Sequence, residues 1–179
     1  MMHDTPRMTG QGFVVMDIYG PETDGKLYNY MFSQICYMRA IHLWFHGAHH
    51  VTRGSSFSGD HSFLYDKIYT GVQESIDGVI EKAIGLCGAD IACPSHITTG
   101  AAQVICAYPS PNKLNATGIA AAGMAIIKDF IEFLECMKRE LDECGSMTLG
   151  LEDQIGGLAN DHEGYYYLLK QRACDDLTG

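Results

Sequence analysis

The sequence predicts an all-α domain: a four-helix bundle with a short extra helix in one long middle connection. Three observations carry this. Four long stretches place apolar residues at i, i+3/i+4, the period of a helix face. No strand-like alternation of useful length interrupts them. The 179 residues are 46% hydrophobic, enough for one domain with a proper core and no covalent staples.

Residues 1–24 read as an irregular N-terminal segment, with Gly10, Gly12, Gly20 and Pro21 as breakers, and the bundle as residues 25–175. The first helix, about 25–52, carries Met31, Ile35, Met38, His42, His46 and His49 on one face and Tyr30, Phe32, Tyr37, Ile41 and Trp44 on the others. A helix apolar on most of its circumference is buried on more than one side, here inside its own bundle and against a partner subunit. After the break at Gly54–Gly59, a second helix spans about 60–86, with Leu64, Ile68, Val72, Ile76 and Ala83 as its apolar stripe. Residues 87–113, with Gly88, Pro94, Pro109 and Pro111, form the long connection, and 95–108 within it read as a short helix capped by Ser95. The third helix, about 115–144, keeps Ile119, Ala122, Ile126, Phe130, Phe133, Met137 and Leu141 in register and stops at Gly145. The fourth, about 149–173, places Ile155, Leu158, His162, Tyr166 and Leu169 on one face. Residues 175–179 are a short tail. Four long helices with a single long crossover are the ferritin-like plan.

The net charge is −10 and no Lys/Arg cluster appears, so autonomous nucleic-acid binding through phosphates is not expected. The seven cysteines are odd in number, and several fall on apolar helix faces, which reads as free thiols in a reducing compartment. The first ten residues lack a basic segment followed by an apolar one, and no run approaches the ~20 apolar residues of a membrane span. The expected location is the cytoplasm.

The chemistry concentrates on the second helix. Asp66, Asp77 and Glu81 are 11 and 4 residues apart. At about 100° per residue they fall within about 60° of one another, nearly opposite the apolar stripe. They therefore face water or another chain, not their own core. His42 and His46 precede them on the first helix, and His61 stands at the start of the second. Carboxylate oxygens with imidazole nitrogens suit iron, manganese or zinc. No histidine has a Glu three residues before it, which argues against the Glu-x-x-His di-iron site held inside one bundle. His162, on an apolar stripe, reads as structural. Glu135, Glu140, Asp142 and Glu143 read as a solvated face.

Four passages carry a family resemblance. Ala40-Ile41-His42-Leu43-Trp44-Phe45-His46-Gly47 looks like an Ala-His-Trp-Asn-x-x-Gly segment, and Asp66-Lys67-Ile68-Tyr69 like Asp-x-Leu-Tyr. Ile76-Asp77-Gly78-Val79-Ile80-Glu81-Lys82-Ala83 looks like Asp-x-x-Ala-Glu-Arg. Ala159-Asn160-Asp161-His162-Glu163, followed by Tyr167-Leu168-Leu169, is similar to an Asp-His-Glu and Trp-x-Leu pair. In order and spacing these resemble the Dps family, the mini-ferritins. The resemblance implies an iron-binding ferroxidase that oxidises Fe²⁺ with peroxide or O₂ and stores the product in a homo-oligomeric shell, a dodecamer built from two-fold dimers. It implies a site across the two-fold interface, with His42 of one subunit meeting Asp77 and Glu81 of the next, and with His61 and Asp66 as further ligands. Iron is the implied metal, with zinc or manganese able to occupy the same place.

The sequence departs from the family in three places. The second family histidine falls at Ser62, one residue from His61, and in a strict helix His61 points toward the apolar face. The link from Gly47 to Asp66 is several residues longer, which leaves His46, His49 and His50 as alternative ligands. The basic DNA-binding tail of some family members is absent. Two other readings compete: a DinB-like metal-dependent helical-bundle hydrolase or transferase using His42 or His46 with His162, and a structural ferritin-like protein that has lost its site.

Overall fold

The computed structural model describes residues 7–8, 14–15 and 23–174. Two short strands, β1 (Arg7–Met8) and β2 (Val14–Val15), pair antiparallel with Arg7 opposite Val15. The rest of the expected irregular segment, and the tail after Cys174, lie outside the described residues.

Helix α1 (Thr23–Val51) is followed by a single turn, α2 (Phe57–Gly59), and a π-helical stretch (Asp60–Tyr65) that runs directly into α3 (Asp66–Cys87). The crossover holds α4 (Pro94–Cys106), and α5 (Ala116–Glu143) and α6 (Leu149–Ala173) complete the bundle. Helices α1 and α3 pack as one pair and α5 and α6 as the other, with α1 also against α5 and α4. This is the all-α ferritin-like bundle, with its short helix in the crossover.

The ends follow local rules. Asn115 accepts a hydrogen bond from the Gly118 amide, and Thr148 from the Leu151 amide, each satisfying a free N–H of the first turn. At the end of α5, Gly145 takes φ +72°, its amide donates to Asp142 and the Ser146 amide reaches back to Leu141, a Schellman closure. The cap of α4 differs from the sequence expectation. Pro94 occupies the first turn, where its missing N–H costs nothing, so Cys93 rather than Ser95 is the N-cap residue.

Helix α1 is buried on most of its circumference: Tyr30, Phe32, Tyr37, Ile41 and Trp44 are buried along with Met31, Ile35 and Met38. Its own chain covers the second side, because α4 lies against it where Gly100 meets Cys36 and Phe32. Across the bundle Tyr37 sits 5.1 Å from Phe133 and 5.8 Å from Phe130, ring centre to centre. Each such aromatic contributes about 1.5–3 kcal/mol by leaving water. On α6, Ile155, Leu158, His162 and Leu169 are buried as expected, with Tyr165 rather than Tyr166 completing the stripe. All seven cysteines are free. Among the described residues, no helix is long and apolar enough to cross a membrane.

Candidate functional site

The last turns of α1 present His42, His46, His49 and His50 toward the start of α3. His42 Nε2 lies 3.1 Å from Gln73 Oε1. A carboxamide oxygen only accepts, so Nε2 donates and the lone pair sits on Nδ1, which is buried without a partner. Burial holds the His42 imidazole below its ordinary pKa, and Arg39 and His46 add to this, so the ring is neutral near pH 7 and able to serve as a ligand. A metal ion on Nε2 must displace Gln73.

His61 does not point into the apolar core as a strict helix requires. The π-helical turns take in one extra residue each, and this swings His61 toward α1. Its ring stacks on His49 at 3.7 Å. The two residues clasp each other, His49 Nδ1 with the His61 carbonyl and His61 Nδ1 with the His49 carbonyl, both at 3.0 Å. Both carbonyls accept, so both Nδ1 atoms carry the proton and both Nε2 atoms carry the lone pair. A buried pin anchors the π stretch. Asp60 receives Arg172 Nε from α6 at 2.7 Å and the Ser56 hydroxyl at 2.7 Å. Tyr69 fills the space between the two helices, its ring 4.8 Å from His46 and 5.3 Å from His49, and its hydroxyl donates to Asp66 at 2.9 Å.

The acid stripe has the direction expected. Leu64, Ile68, Val72, Ile76 and Ala83 are buried, whereas Asp77 and Glu81 are exposed and Asp66 is half-buried. Asp77 lies in an open groove with Arg39, Thr70, Gln73 and Glu74. The structure thus joins His42 to the α3 face one turn before Asp77 through Gln73, and joins Asp66 to the histidines through Tyr69. It joins neither Asp77 nor Glu81 to an imidazole. Among the described residues, no three His, Cys, Asp or Glu side chains are placed to hold a metal within one chain.

His162 stands apart from these residues. It packs on Phe130 at 4.6 Å and Tyr165 at 5.3 Å, and its Nδ1 donates to the Leu158 carbonyl at 2.7 Å. The three-histidine arrangement of a DinB-like centre is therefore not assembled. The acids late in α5 are partly paired: Glu140 with Lys26 at 2.8 Å, and Asp142 with Lys138 at 2.8 Å, which also reaches Glu152.

Sequence reasoning missed Gln73, Tyr69 and the Asp60–Arg172 pin. Gln73 was findable, since it stands four residues before Asp77 on the same face. Asp60 and Arg172 are 112 residues apart, and no local pattern signals their pairing.

No family model matches the sequence, and no curated protein matches it. Solved structures do. The Dps of Thermosynechococcus elongatus superposes with a TM-score of 0.74 at 20% identity, over 88% of this chain and 97% of that one. The archaeal Dps homologue of Halobacterium salinarum gives 0.72 at 16%, over 92% and 86%. The Dps of Microbacterium arborescens, in its high iron form, gives 0.71 at 18%, over 87% and 97%. At such identities the likeness is one of architecture, and with the helix plan and the crossover helix it is specific: the chain has the Dps-like, ferritin-like fold.

Proposed function

We propose that this protein is a Dps-like ferroxidase and iron-storage protein whose site is completed by a second copy of the chain. The carrying observation is that Asp77 and Glu81 stand exposed on the face opposite the α3 core stripe and, among the described residues, meet no imidazole of their own subunit. His42 of the two-fold neighbour supplies it, with His61 and Asp66 as outlying ligands. Fe²⁺ is the substrate, and zinc or manganese fits the same donor set. The carboxylates stabilise the higher charge of the oxidised ion, and the neutral imidazole limits the net negative charge. Peroxide takes one electron from each of two Fe²⁺ ions as its O–O bond breaks, or O₂ serves as the acceptor. The ferric product collects in a dodecameric, cytoplasmic shell, to which a net charge of −10 is suited.

Asp77→Ala with Glu81→Ala is expected to abolish rapid Fe²⁺ oxidation, followed by absorbance of the ferric product, while light scattering shows the assembly intact. Unchanged oxidation kinetics would sink the assignment. One observation favours a second reading, a shell that has lost its chemistry: Gln73 already occupies His42 Nε2. Wild-type protein that assembles but oxidises Fe²⁺ no faster than buffer supports that reading.

A further inference from the structure

We infer that His46 and His50 form a second, nitrogen-only metal site for Zn²⁺ or Cu²⁺, separate from the Asp77/Glu81 face. The two histidines are one turn apart on α1, the i, i+4 spacing that places two imidazoles on one side of a helix. Their Nε2 atoms are 3.1 Å apart and their ring centres 4.5 Å apart. Two nitrogens bound at about 2.0–2.1 Å to a tetrahedral ion stand about 3.3 Å from each other, so the pair is already at chelating separation. Tyr69 packs on the His46 ring at 4.8 Å and holds it half-buried, whereas His50 is exposed and leaves the site open to ions from solvent.

In the metal-free pair one Nε2–H donates to the other Nε2. On binding, that proton moves to the Nδ1 of the same ring, so both nitrogens offer lone pairs and no net proton is lost from the pair. Two imidazoles are two ligands, and no third His, Cys, Asp or Glu among the described residues closes the set, so water completes the coordination. Imidazole suits Zn²⁺ and Cu²⁺, and by the ordinary order of divalent affinities both bind such a nitrogen pair more tightly than Fe²⁺ does. The site does not depend on the ferroxidase reading.

The test is calorimetric titration of ZnCl₂ into assembled full-length protein carrying Asp77→Ala and Glu81→Ala, so that the carboxylate face is silent. One Zn²⁺ per subunit is expected. His50→Gln in that background, or His46→Gln, should weaken binding at least tenfold, with circular dichroism showing the helices unchanged. No Zn²⁺ bound by the Asp77/Glu81 variant, or an affinity within twofold after His50→Gln, overturns the proposal. Fe²⁺ oxidation in the same Asp77/Glu81 variant reports on the ferroxidase assignment alone, so the two claims fail separately.

Discussion

The histidine end of α1 and the carboxylate face of α3 are neighbours held in opposite ways. Each ring at the histidine end has a partner in its own chain: Gln73 for His42, His50 for His46, and the reciprocal carbonyl clasp for His49 and His61. For His42, His49 and His61 these contacts fix tautomers as well as positions. Asp77 and Glu81 are exposed, and among the described residues neither has a hydrogen-bond or ion-pair partner. The difference teaches that one side of the candidate site is finished by folding, whereas the other stays open, the side that the proposed function assigns to a partner.

The largest effect on stability concerns His162, a histidine that takes no part in this division of labour. It is almost fully buried, and desolvation pushes its pKa down to about 4. The unfolded chain binds this proton near pH 6.5 and the folded chain only near 4, so the unfolded state holds more protons between those values. Stability therefore falls as pH drops from about 6.5 to 4, by roughly 3 kcal/mol. His162→Phe should remove that loss, read from urea midpoints at pH 7 and pH 4.5. An unchanged pH dependence would mean that His162 does not carry the acid sensitivity.

Arg172→Ala unpins the histidine end. It leaves Asp60 buried without its cation and should cost about 2–3 kcal/mol, below the full penalty for a buried pair because Arg172 is partly exposed. The expected consequence is local: amide hydrogen exchange rises through residues 56–65, while the turns around Asp77 and Glu81 keep their protection. Equal loss on both sides would mean the two regions are not held independently.

Gln73→Ala sharpens the comparison with the smallest change. It frees His42 Nε2 from one neutral hydrogen bond, worth about 0.5–1.5 kcal/mol, and should raise Fe²⁺ affinity roughly threefold. Weaker binding in this variant would make Gln73 a supporting residue and not a competitor.

Much of this was legible before the structure. Buried Ile68, Val72 and Ile76 opposite exposed Asp77 and Glu81 follow directly from helical period, and the Gly145 stop follows from its left-handed freedom. The direction of His61 is not legible from spacing, because hydrophobic spacing assumes α-helical turns and a π stretch shifts the register without changing which residues are apolar. At the start of α4, Ser95 offers a capping side chain, but Pro94 gives the stronger start signal and makes Cys93 the N-cap. The Asp60–Arg172 pin and the His49–His61 clasp are tertiary, and each partner alone reads as an ordinary polar residue.

The most direct test of the central claim is subunit complementation. Shells of His42→Ala subunits, and shells of Asp77→Ala/Glu81→Ala subunits, should each be inactive in Fe²⁺ oxidation. If the site spans a two-fold interface, a mixed pair rebuilds one intact site from the wild-type halves of both chains. Shells reassembled from equal amounts of the two should then recover about a quarter of the wild-type sites. Mixed shells as inactive as either parent would contradict a site shared between subunits.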